Sequence, residues 1–75
     1  MNELLSYISV NSDIRSGKPC IKGTRITVVD ILQWLASGMS VAEILEDFPL
    51  LKEAHIRAAL TFAANREEYT KIIAA

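Results

Sequence analysis

The sequence predicts a mainly α fold: a three-helix helix-turn-helix with a short N-terminal β-arm. Three observations carry this. Thr27 with Asp30, and Ser40-Val41-Ala42-Glu43, are helix-start signatures, and each opens a run of apolar residues at helical spacing. Gly38 and Pro49 break the apolar pattern into three runs with short links. Ahead of Thr27, β-formers and turn residues dominate.

The elements follow in order. Residues 4–10, Leu-Leu-Ser-Tyr-Ile-Ser-Val, are rich in β-formers with partial alternation and read as a strand. Asn11-Ser12-Asp13 is turn chemistry. Gly17-Lys18-Pro19 is a second turn, because glycine permits positive φ and proline fixes its own. A short extended piece spans Cys20 to Lys22, and residues 24–26 lead into the first helix. A lone strand at 4–10 needs a partner for its ladder, and a second copy of the chain would supply one.

The first helix starts at Thr27, whose hydroxyl caps the first turn while Asp30 suits the dipole. Val28, Ile31, Leu32 and Leu35 form its inward stripe, and Gly38 stops it as a C′ residue. The second helix follows Ser40, with Val41, Ile44, Leu45 and Phe48 inward, and ends before Pro49. The third begins near Lys52 or Glu53, with Ile56, Ala59, Leu60 and Ala63 inward. No Gly or Pro lies between Arg66 and Ala75 to end it. Short links force the helices to pack on one another. The chain is one domain, 1–75, with the arm and turns over 1–26 and the helical bundle over 27–75.

Composition bounds the function. Apolar residues make up 51% of 75, which excludes a disordered chain. The net charge of −1 gives no global pull toward nucleic acid or membrane. Ile31 to Ala42 is the longest uncharged run, too short for the roughly 20 residues a bilayer requires. There is no basic n-region, so the expectation is a cytoplasmic protein. Cys20 is the single cysteine and forms no internal disulfide. A core this small seldom supplies more than about 3–5 kcal/mol, so association is the expected staple. The anticipated state is a homodimer, a complex with another protein, or both.

Enzyme chemistry finds no support in the residues. One Cys and one His are too few for a structural zinc site, and no cofactor motif is present. No activating neighbour pairs with His55, which reads as an ordinary exposed residue of the third helix. Glu43, Glu46 and Asp47 form an acidic cluster, read either as a solvated face or as a dock for a basic partner.

Two binding surfaces are legible. Arg15, Lys18, Lys22 and Arg25 give the arm four cations and no acid between Ile14 and Val29. With Lys52, His55 and Arg57 of the third helix, residues Lys18, Lys22 and Arg25 are the candidate DNA contacts. Arg25 has a second reading, as a tie from the arm to acids such as Asp30. The other surface is apolar. Ala58, Phe62, Tyr69 and Ile73 form a second stripe on the third helix, and Trp34 edges the first helix's stripe. Either the N-terminal arm covers this stripe, or Trp34, Phe62, Tyr69 and Ile73 anchor a partner or dimer interface.

Gly17-Lys18-Pro19-Cys20-Ile21-Lys22-Gly23-Thr24-Arg25-Ile26 closely resembles the signature "GKPVIKGTRI" of the family known as domain of unknown function 433. Leu35-Ala36-Ser37-Gly38-Met39-Ser40 followed by Glu43-Ile44-Leu45, then Phe48-Pro49 and Ile56-Arg57-Ala58-Ala59-Leu60, are similar to its later blocks. The resemblance runs from about Tyr7 to Ala64. It implies a homeodomain-like three-helix fold, usually dimeric, similar to VapB-type antitoxins. It further implies a small PIN-like toxin or nuclease as partner, and a possible role in repressing the operon. Position 52 departs from the pattern: Lys52 stands where Thr or Ser is usual. That helix start loses a cap of about 1 kcal/mol, or its start shifts. The resulting expectation is an antitoxin-like module that is not an enzyme. The alternative is a dimeric transcriptional regulator bound to operator DNA.

Overall fold

The computed structural model of the chain describes residues 3–74, with the side chains of residues 4, 5 and 66–74 outside the description. A 3₁₀ turn, Glu3–Tyr7, opens it, followed by strand β1, Ile8–Ser9, and strand β2, Cys20–Ile21. Three helices follow: α1, Val28–Ala36; α2, Val41–Asp47; and α3, Glu53–Ala74.

The strand expected over 4–10 shrinks to two residues. Leu4-Leu5 breaks the alternation that a half-buried strand requires. Ser6 Oγ donates to the Glu3 carbonyl at 2.7 Å, a local bond that favours a turn over a ladder. The turn packs on α3 instead. β1 pairs antiparallel with β2, Ile8 opposite Ile21 and Ser9 opposite Cys20. Its ladder is thus completed within the chain, and no second copy is required for it. β2 is met on its other side too: Cys20 bridges Thr27, and the Ile21 amide donates to the Ile26 carbonyl at 2.8 Å.

Both helix-start signatures are realised. The Asp30 amide donates to Thr27 Oγ1 at 2.9 Å, and the Thr27 amide to Asp30 Oδ2 at 3.0 Å. The Glu43 amide donates to Ser40 Oγ at 3.1 Å, and the Ser40 amide to Glu43 Oε1 at 2.9 Å. α1 ends in a Schellman motif. Met39 N donates to the Trp34 carbonyl and Gly38 N to the Leu35 carbonyl, both at 3.1 Å. Gly38 sits at φ +105°, where a side chain would be strained.

The core draws one large aliphatic from each main element. Ile21 of β2, Ile31 of α1, Ile44 of α2 and Ile56 of α3 are all buried, with Val28, Leu51 and Ala59 between them. Fully burying such a side chain contributes about 1.5–3 kcal/mol. Trp34 stacks on Phe48 with ring centroids 4.4 Å apart, closing the α1–α2 side.

The faces of α3 differ from the expectation. Ala58, in the second stripe that either the arm covers or a partner meets, is completely buried, and Leu60, assigned inward, is 46% exposed. α3 packs chiefly on the N-terminal 3₁₀ turn and on α1, and also on α2 and β1. The buried arc therefore turns away from Leu60 and toward Ala58.

Candidate functional site

The start of α3 is built from four residues of three segments. Lys52 has no side-chain oxygen, so it cannot accept from the first turn as Ser or Thr would. His55, three residues on, supplies the return half of the cap: its Nδ1 accepts the Lys52 amide at 2.8 Å. An accepting Nδ1 places the ring proton on Nε2. The Tyr7 ring meets His55 edge to face, centroids 5.1 Å apart. The Lys22 amide donates to the Tyr7 carbonyl at 2.7 Å. This series of contacts brings the backbones of Lys22 and Lys52 to the two ends of one aromatic pair. His55 is half-buried rather than exposed, because the arm lies against it.

The tie between arm and helices is Arg15, not Arg25. Arg15 Nη1 donates to the Arg25 carbonyl at 3.0 Å and to Asp30 Oδ2 at 3.2 Å. Arg15, Ser16 and Gly17 all have positive φ, at 50°, 59° and 81°. For the two residues that carry a Cβ, such a conformation costs about 1–2 kcal/mol each. The guanidinium that this turn presents has two acceptors. Desolvation raises the pKa of the Asp30 carboxyl. Hydrogen bonds from Thr27, then the charge and hydrogen bond of Arg15, outweigh it and leave Asp30 below its ordinary value. Glu43 is likewise lowered, by the backbone and then the side chain of Ser40.

Lys18, Lys22, Arg25, Lys52 and Arg57 are all exposed. They do not share one face. Arg57 lies two residues past His55, about 200° around α3. The backbone amides of Lys22 and Lys52 bond to Tyr7 and His55 respectively. Of the apolar candidates, Trp34 and Phe62 are half-buried and pack against the core. The side chains of Tyr69 and Ile73 lie outside the described residues. Cys20 is buried, its Sγ 3.2 Å from the Lys18 carbonyl. Among the described residues, no group of three or more His, Cys, Asp or Glu is placed to hold a metal ion. No helix there is long and apolar enough to cross a membrane.

The feature that sequence reading missed is Leu50. It sits in the turn between α2 and α3 and is 77% exposed, more than any other large apolar side chain described. Exposed Glu46 and Asp47 precede it, and exposed Glu53 follows. The available signal was an apolar residue after Pro49 that belongs to neither helix's stripe.

Three comparisons place the chain among known proteins. An uncharacterized protein, y4eO, of Sinorhizobium fredii (strain NBRC 101917 / NGR234) is 38% identical over 56 residues, which is 75% of this chain and 25% of that protein. The chain thus spans about a quarter of that relative's length. A crystal structure of a DUF433 member protein from Anabaena variabilis ATCC 29413 superposes with a TM-score of 0.76. It shares 26% identity, over 92% of this chain and 69% of that one. The family model described as "Protein of unknown function (DUF433)" matches residues 8–63, from β1 through the middle of α3, and the chain belongs to that family.

Proposed function

We propose that this chain is an antitoxin-like binding module, cytoplasmic and non-enzymatic, that dimerises and holds a small basic PIN-like toxin or nuclease. The observation that carries this reading is the α2–α3 turn. Leu50 projects there with three exposed acids close in sequence, Glu46, Asp47 and Glu53. An exposed apolar side chain on a segment whose acids outnumber its one exposed cation, Lys52, suits a partner surface of positive sign. Neutralisation is then occlusion of the partner's active site. A direct test adds the purified chain to a PIN-like nuclease encoded beside it and follows RNA cleavage. Cleavage should stop near equal stoichiometry, and Leu50→Lys should restore it. Full cleavage at excess wild-type chain would defeat the reading.

A second reading is operator binding by the dimer, favoured by the exposure of Lys18, Lys22, Arg25, Lys52 and Arg57. Each phosphate contact adds about −0.9 to the log–log salt slope. Lys18→Ala, Lys22→Ala and Arg57→Ala should each flatten that slope. If all three leave it unchanged, these residues do not form a DNA surface.

A further inference from the structure

The start of α3 carries a bond that a proton would break. Lys52 and His55 hold each other twice. The His55 amide donates to the Lys52 carbonyl at 2.9 Å, and the Lys52 amide donates to His55 Nδ1 at 2.8 Å. The first bond is backbone alone and is indifferent to side-chain charge. The second needs the Nδ1 lone pair, which only the neutral imidazole has. In the commoner cap a Glu or Gln stands at this position, and neither changes charge near neutral pH. His55 is the single histidine of the chain, so no other side chain ordinarily titrates between about pH 5 and 8.

The surroundings decide the sign. The 3₁₀ turn brings Tyr7, whose ring meets His55, and Glu3, which is exposed. β1 holds no titratable residue. Asp30 of α1 is engaged by Thr27 and Arg15, and Glu43 of α2 by Ser40. Glu46 and Asp47 of α2 are exposed, as are Lys52, Glu53 and Arg57 around His55 itself. Among the described residues the one ion pair is Arg15–Asp30, so no carboxylate there pairs with the His55 ring. A tyrosine face attracts a cation, but it returns no acceptor to the Lys52 amide. A positive ring in the first turn also opposes the helix dipole.

We propose that His55 is a proton-operated cap. Neutral, it closes the first turn of α3; charged, it releases the Lys52 amide and lets that turn open. The cap is present above the ordinary histidine range and is lost as pH falls through it. Leu50 lies two residues before the released amide, so the turn that carries it loosens from the α3 side. Acid control of partner binding at Leu50 rests on the function proposed above; the cap itself does not.

The test is NMR on the full ¹⁵N-labelled chain at about pH 7.5 and pH 5.5, either side of the ordinary histidine range. At the higher pH the ring nitrogens should show a proton on Nε2 and a bare Nδ1. Exchange of the Lys52 amide with water, divided by the intrinsic rate at each pH, should be at least about fivefold faster at the lower pH, the factor a lost cap implies. His55→Gln keeps an acceptor that does not titrate, so its ratio should stay constant. Circular dichroism at 222 nm checks that the variant folds; if it does not, the wild-type tautomer and exchange ratios decide. A proton on Nδ1 at the higher pH, equal wild-type ratios at both, or the same rise in folded His55→Gln would overturn the switch. A wild-type chain that never inhibits the nuclease would remove the Leu50 reading and leave the cap standing.

Discussion

Replacing Asp30 with alanine should cost more than any other single change at the surface of α1. One carboxylate oxygen, Oδ2, accepts from both the Thr27 amide and the Arg15 guanidinium. Thr27 is 1% exposed, so its amide would find no ready substitute acceptor. Leaving a buried donor unpaired costs about 1–3 kcal/mol. The Arg15 contact is part-exposed and adds about 0.2–1 kcal/mol after solvent screening. The negative charge at the helix start adds about 0.3–1 kcal/mol. The sum for Asp30→Ala is about 1.5–5 kcal/mol, against about 3–5 kcal/mol for a domain of this size. Asp30→Asn separates the parts, since its amide oxygen still accepts from Thr27 while the ion pair is lost. It should cost about 1 kcal/mol. Urea denaturation followed at 222 nm measures both. The pH dependence has a fixed sign. A carboxyl lowered in the folded state stabilises above its unfolded pKa, and that contribution fades as pH falls through the folded value. Stability should therefore begin to fall as pH drops below the ordinary aspartate value and continue falling toward the lowered folded value, and Asp30→Asn should remove part of the slope. An Asp30→Ala chain within about 0.5 kcal/mol of wild type would refute the clasp, since that is the scatter of ordinary surface changes.

The other predictions concern α3 and the turn before it. Ala58→Leu should destabilise by about 1–3 kcal/mol by overpacking under the 3₁₀ turn. Leu60→Lys should stay within about 0.5 kcal/mol when stability is measured on monomer at low concentration. The reverse order would restore Leu60 to the inward face. His55→Ala should cost about 0.5–2 kcal/mol through the lost cap, and His55→Gln should recover part of it, because glutamine accepts at the same position. Gly38→Ala should lower the midpoint although nothing lies within 4 Å of the added carbon, because the penalty is the positive φ.

The sequence legibly encodes what is local. Both capping boxes and the Gly38 stop are decided within four residues, so side-chain chemistry alone predicts them. The inward residues of α1 and α2 follow from one period each, because each helix buries one face. α3 is packed on by the 3₁₀ turn, β1, α1 and α2, and a single period cannot reveal that. Ala58 is buried and Leu60 exposed for this reason. The first strand failed because a 3₁₀ turn supported by Ser6 and α3 outcompeted a ladder that β2 completes with two residues. Arg25, five residues from Asp30, is the partner the sequence points to. The chain has a left-handed turn at residues 15–17, and Arg15 pairs with Asp30 instead. His55 looked like a reader of DNA because histidine at the third helical position is an uncommon substitute for Glu or Gln in a cap. Leu50 escaped notice because exposure, not residue type, makes it distinctive.

The binding role is tested most directly by affinity purification of tagged wild type and Leu50→Lys from the native cells, with and without nuclease, followed by mass spectrometry and DNA sequencing. The prediction is one small basic protein in near-equal amount with wild type, retained after nuclease and absent from Leu50→Lys. A single enriched DNA fragment with no protein, or the same protein on both baits, would contradict it.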